Sequence, residues 1–132
     1  MVFSAADVLQ AFEASFGVRL QARRRESLRF KLLRRRLGLP RVEIFESTPY
    51  NDGLFGGRVV VSVKQAGSRD RGVRDRGLEL GEAERGPRAG TPEIVGIAER
   101  ANVEVLWIRY GSDIDDGALA QWTRVIAFLD RL

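Results

Sequence analysis

Apolar residues recur along the chain at two periods, and the breaks between the periodic stretches fall at glycine, proline and aspartate. Residues 4–16 set Leu9, Phe12 and Phe16, with Val8, at helical intervals; Ser4 stands at the N-cap position, Asp7 follows three residues on, and Gly17 supplies a stop. Those aromatics read as core. A second helix is predicted over about residues 22–37, closed by Gly38 and Pro40. On its wheel Phe30, Leu33 and Leu37 fall within roughly 60°, Leu28 and Leu32 form a second apolar ridge, and Arg23, Arg24, Lys31, Arg34 and Arg35 occupy a separate arc of about 120°. The expectation is a helix that packs its aliphatic side and presents its cationic one.

Residues 42–47 (VEIFES) read as a strand, followed by a turn at Tyr50-Asn51-Asp52-Gly53 and the pair Gly56-Gly57. RVVVSVK, residues 58–64, is the clearest strand: Val59, Val61 and Val63 share one face, and Val60, Ser62 and Lys64 the other. Residues 66–90 break the pattern with six glycines, six arginines and five acids, and RDRG occurs at 69–72 and again at 74–77. A mobile Gly/Arg-rich loop is expected there, a long hairpin tip being the ordered alternative. Beyond Pro92 the pattern predicts a short helix near 93–101, a strand at 103–110 and a last helix from about 116 to 132. Asp113 or Asp115 can cap that helix, and Leu119, Trp122, Ile126 and Leu129 make its apolar stripe. The order α-α-β-β-(loop)-α-β-α implies an α/β or α+β domain over residues 1–132, with a small mixed sheet of three to four strands packed by helices.

At 132 residues and 44% hydrophobic content the chain can bury a core as a single domain. It contains no cysteine and no histidine, which excludes disulfides, Cys/His zinc sites and a histidine general base. Acid–base work would fall to Asp, Glu, Lys or Tyr, and any metal to carboxylate or carbonyl oxygens. The N-terminal stretch has no basic start and carries Asp7 and Glu13, unlike a signal peptide, and no apolar run approaches the roughly 20 residues of a membrane span. A cytoplasmic location is expected, the host cytoplasm if the protein is viral.

Charge changes this picture most. Residues 19–41 hold ten basic side chains against Glu26 alone, a net of +9, whereas the whole chain is +4; the remainder therefore sums to −5. A bias toward arginine codons would spread arginine more evenly. Guanidinium groups on a helix face suit phosphate, offering a planar fork of donors that stays charged. The leading expectation is a small basic accessory protein that binds nucleic acid through phosphate contacts from Arg23, Arg24, Lys31, Arg34 and Arg35, without catalysis and without a cofactor. The alternative use of the same face is pairing with acids, either the protein's own, those of a second copy in a homo-oligomer, or those of an acidic protein partner. Membrane binding is not expected, because the aliphatic side of the helix is assigned to packing.

Two further constellations carry candidate chemistry. Asp52, nine intervening residues, then Ser62-Val63-Lys64, with Glu13 on the first helix, resembles the PD-(D/E)xK nucleases. That resemblance implies a metal-dependent nuclease in which the acids hold Mg²⁺ and Lys64 assists the attacking water, making Asp52 and Lys64 catalytic. Ser62 stands where that family has an acid or a glutamine, which leaves the metal short of a ligand. Asp113-Ile114-Asp115-Asp116-Gly117 is similar to a calcium loop, but the position of the bidentate glutamate is Arg124, so helix capping is the expected role. Gly53, Gly56 and Gly57 form no phosphate-binding fingerprint.

Overall fold

The computed structural model describes residues 2–23, 28–39, 41–47, 57–66, 69–82, 90–111 and 113–132. Helix α1 (Ala5–Phe16) begins where Ser4 Oγ accepts the Asp7 N–H and ends where the Gly17 N–H donates to the Glu13 carbonyl, at 2.8 Å. Val8, Phe12 and Phe16, four residues apart, form its buried edge. A two-residue strand β1 (Gln21–Ala22) leads to helix α2 (Leu28–Arg36), and five strands follow: β2 (Val42–Glu46), β3 (Gly57–Lys64), β4 (Arg74–Glu82), β5 (Pro92–Arg100) and β6 (Val103–Tyr110). Helix α3 (Asp116–Asp130) closes the chain. No helix among the described residues is long and apolar enough to cross a membrane.

The strands make one six-stranded sheet in the order β1-β2-β3-β6-β5-β4, every neighbouring pair antiparallel. This corrects the expected sheet of three to four mixed strands and the order containing a third helix before the last strand. The residues expected to form a helix near 93–101 are β5, and the segment expected as a loop contributes β4. In β5 Ile94, Gly96 and Ala98 are buried while Val95, Ile97 and Glu99 alternate with them on the opposite face. That is a period of two, and apolar residues on both faces hide it from a helix-or-strand decision.

One face of the sheet carries the core. Val59, Val61 and Val63 of β3 lie beside Val103, Val105 and Trp107 of β6, and α1 and α3 cover them. Phe12 meets Phe16 at 4.6 Å between centroids and Phe128 edge-on at 5.3 Å, tying α1 to α3. Trp122 of α3 stacks on Trp107 with centroids 6.2 Å apart and planes 18° off parallel. Space for the second indole comes from Gly96, which pairs with Trp107 in register; a Cβ there would lie 2.6 Å from the Trp122 ring.

The RDRG repeat has a structural role. In each copy the aspartate accepts the N–H of the glycine two residues on, Asp70 from Gly72 and Asp75 from Gly77, and both glycines adopt positive φ, 84° and 91°. Asp75 Oδ1 also accepts the Trp122 indole N–H at 3.0 Å, across the irregularity in β4 pairing between Asp75 and Leu78. Asp70 accepts from the Arg100 guanidinium at 3.1 and 3.2 Å, and Arg100 further donates to the carbonyls of Leu129, Asp130 and Leu132. A cation thus closes the C-terminal end of α3. At the β5–β6 turn the buried Asn102 bonds both backbone groups of Phe3 and the Lys64 carbonyl, fastening the N-terminal segment to β3.

Gly96→Ala is expected to lower stability by about 1–3 kcal/mol, since Trp122 and Leu78 both have to move. Gly81→Ala on β4, with nothing within 4 Å, should stay within about 0.5 kcal/mol of wild type; urea midpoints compare the two. The Arg100 hydrogen bonds, then the Gly72 N–H, hold the Asp70 carboxyl below the ordinary carboxylate range. A carboxylate depressed on folding contributes stability above its unfolded value near ~3.9, and the contribution is lost as pH falls through the lower folded value. The stability gap between wild type and Asp70→Asn should therefore be constant from neutral pH to about 5 and close below about 4, as read by thermal melts across pH.

Candidate nucleic-acid interface

Helix α2 stands apart from the core: none of its side chains is buried. It ends in a Schellman arrangement, with Leu39 N–H donating to the Arg34 carbonyl at 3.0 Å and Gly38 N–H to the Arg35 carbonyl at 3.2 Å. The helix begins at Leu28 rather than near residue 22; Gln21–Ala22 pairs with β2 instead, and the Arg23 N–H donates to the Ile44 carbonyl.

Its orientation reverses the expectation from the wheel. Lys31 and Arg34 are the least exposed residues of α2, whereas Leu28, Leu32, Leu33 and Leu37 are all more than half exposed. The cationic arc faces the body of the protein and the leucines face away. Between α2 and the β1–β2 edge lies a cleft of about 560 Å³, lined by Arg23, Lys31, Arg34, Arg35 and Arg41 with Phe30 among them. Val42, Ile44 and Phe45 line the strand side, and Glu43 is the acid on the wall.

Four of the five residues expected to bind phosphate therefore converge on one cleft; Arg24 lies outside the described residues. Arg41 was not among the five. Its place is set by following Pro40 into β2, so no helical periodicity marks it. Phe30 was assigned to packing, yet it is half exposed on the cleft.

Internal acids neutralise this set only in part. Arg23 reaches Glu46 at 3.6 Å, where the Glu46 side chain is half-buried and its Oε2 is enclosed without a hydrogen bond, and Arg41 reaches Glu43 at 4.0 Å through exposed side chains. An exposed pair such as Arg41–Glu43 contributes about 0–1 kcal/mol. Glu46 is also shared with Arg58, at 4.0 Å. Lys31 and Arg35 form no ion pair among the described residues.

The second constellation is not assembled among the described residues. Asp52 lies outside them. Lys64 ends β3, its backbone held by Asn102, and Ser62 precedes it on the same face. Glu13 on α1 pairs with Arg19 at 3.6 Å. Among the described residues no group of three acidic side chains is placed to hold a metal ion. Asp115 is the N-cap of α3, accepting the Ala118 N–H at 2.8 Å while Arg109 donates to it at 2.9 Å, and those two contacts, the arginine first, hold its carboxyl below the ordinary range.

No protein-family model matches this chain, and neither a curated protein nor a solved structure matches it.

Proposed function

We propose that this protein binds nucleic acid in the cleft between α2 and the β1–β2 edge, through phosphate contacts from Arg23, Lys31, Arg34, Arg35 and Arg41. The observation that carries the reading is their convergence on one concave surface whose described wall holds a single acid, Glu43. Like charges brought together repel, and a polyanion relieves that repulsion while releasing its own counterions. Arg34 and Arg35 of α2, Arg41 just before β2 and Arg23 just after β1 offer forked donors suited to phosphate oxygens.

The form of the cleft favours a single strand over a duplex. Its volume lies within the ~300–1,000 Å³ of sites that enclose a ligand segment rather than bear against a rod. Phe30, half exposed between cations, supplies a ring on which one base can stack. Phosphate contacts hold the strand without reading its sequence, so binding is tolerant of sequence.

Fluorescence anisotropy with a labelled oligonucleotide tests this. Five phosphate contacts on a single strand imply a slope of about −3.5 in log K against log salt, so a fourfold rise in salt should cost about a hundredfold in affinity. Lys31→Ala/Arg34→Ala/Arg35→Ala should weaken binding and flatten that slope by about 2 units. Phe30→Ala should cost about 1–3 kcal/mol on single strands and leave the salt slope unchanged. Affinity indifferent to salt, or wild-type affinity in the triple variant with an unchanged circular-dichroism spectrum, would overturn the reading.

A further inference from the structure

We infer that a bound single strand continues past Arg41 into a second hollow at the joined ends of β2 and β3, where Lys64 takes a further phosphate. This extension rests on the nucleic-acid reading of the α2 cleft. The second hollow, of about 290 Å³, lies between the segment leading into α1 and the β2–β3 end. Arg41 and Glu43 line both hollows, so the two adjoin along one short stretch of chain.

Register brings Lys64 to that junction. Val42, on the wall of the cleft, is the cross-strand partner of Lys64, on the wall of the hollow. Directly opposed residues of an antiparallel pair lie about 5 Å apart and share a face, and a lysine carries its charge on a flexible four-carbon stem. The ammonium group is therefore within reach of a strand leaving the cleft. The backbone beneath it is fixed. The Lys64 N–H donates to the Asn102 carbonyl at 2.9 Å, Asn102 Nδ2 donates to the Lys64 carbonyl at 3.0 Å, and the Gln65 N–H donates to the Arg41 carbonyl at 2.9 Å. Asn102 is buried and also bonds both backbone groups of Phe3, so one residue sets the two facing walls of the hollow.

The lining suits one more nucleotide of the same strand. Its cations are Arg41 and Lys64, against Glu43 as the acid. Glu43 pairs with Arg41 at 4.0 Å, and Lys64 forms no ion pair among the described residues, which makes Lys64 the uncompensated charge. Its three rotatable donors meet a phosphate as a point charge, without the geometry a guanidinium fork demands. Beside it Val2, 53% exposed, and the half-buried Phe3 offer apolar surface to the face of a base. Cation and apolar surface thus alternate here as they do around Phe30 in the cleft. A lone phosphate or a short strand is drawn to the five cations of the cleft. Only a strand long enough to pass Arg41 brings a phosphate to Lys64, so the hollow reveals itself as a dependence of affinity on strand length.

Fluorescence anisotropy with labelled oligothymidylates of about 4 and about 12 nucleotides, both within the range of single-strand site sizes, tests the extension. Wild type should prefer the longer strand. Lys64→Ala should leave the short strand's affinity unchanged, weaken the long one about fivefold near 0.1 M salt, and flatten its salt slope by about 0.7. Val2→Asp sets an acid in the hollow at an exposed position and should likewise weaken the long strand alone, with an unchanged thermal melt. Either variant keeping the full length preference of the wild type would overturn the extension, as would a Lys64→Ala loss equal on both lengths. The cleft would then still stand on the short strand's salt slope. Absence of that slope would overturn the cleft reading, and the extension with it.

Discussion

The seat of Trp122 on Gly96 governs how the helical layer meets the sheet. An indole of this size cannot approach the centre of a sheet unless one strand yields its side chain, and β5 yields it at the residue paired with Trp107. The two indoles then stack, and the ring N–H is satisfied by Asp75 on the outermost strand. One side chain thereby couples α3 to β6, β5 and β4. Asp75 can reach it only because its own turn to Gly77 interrupts the β4 pairing, so the RDRG repeat belongs to the same arrangement. Arg100 does the corresponding work at the far end of α3, linking three terminal carbonyls to the first copy of the repeat.

That arrangement settles the C-terminal two-thirds of the chain and leaves the α2 region without a share in it. The core cluster takes residues from α1, from strands β2, β3, β5 and β6, and from α3, but none from α2. A helix of nine residues is marginal by itself, and like charges at i, i+3 and i, i+4, such as Lys31 with Arg34 and Arg35, weaken it further. The sequence therefore spends its most concentrated charge, and several of its exposed leucines, on an element that contributes little to the buried core. On the proposed reading, a bound polyanion supplies stabilising contacts that the core does not give this helix.

Legibility followed how local the determining interactions are. Helices α1 and α3 were readable because their caps lie within a few residues, and Ser4 and Asp115 cap as their positions imply; the expected stripe of α3 was only half right, since Trp122 and Leu129 are buried but with Ala118, Val125 and Phe128, while Leu119 is exposed. Strand β3 was readable from its run of valines. Strand β5 was not, because Val95 and Ile97 make both of its faces apolar; the overlooked signal was Gly96, which disfavours a helix interior and marks close approach in a strand. Strand β4 has only Leu78 and Leu80 as large apolar residues and exists through its pairing with β5 and the Asp–Gly turns. For the candidate site, the charge concentration and the shared arc of Lys31, Arg34 and Arg35 were visible in the sequence. Which way that arc faces was not, since the direction depends on where β2 lies, and β2 also brings Arg41 to the cleft.

The inward turn of the cations bears on how a ligand would be held. Cations on an outward face would meet phosphate from one side and remain largely hydrated. In the cleft they surround the space from the helix and from the strand edge, so an entering phosphate exchanges water for donors on two walls. The same geometry makes the empty cleft electrostatically costly, because Glu43 and Glu46 offset only part of five converging charges. On the proposed reading, occupancy by a polyanion therefore stabilises α2 in its place, linking ligand binding to the order of the helix.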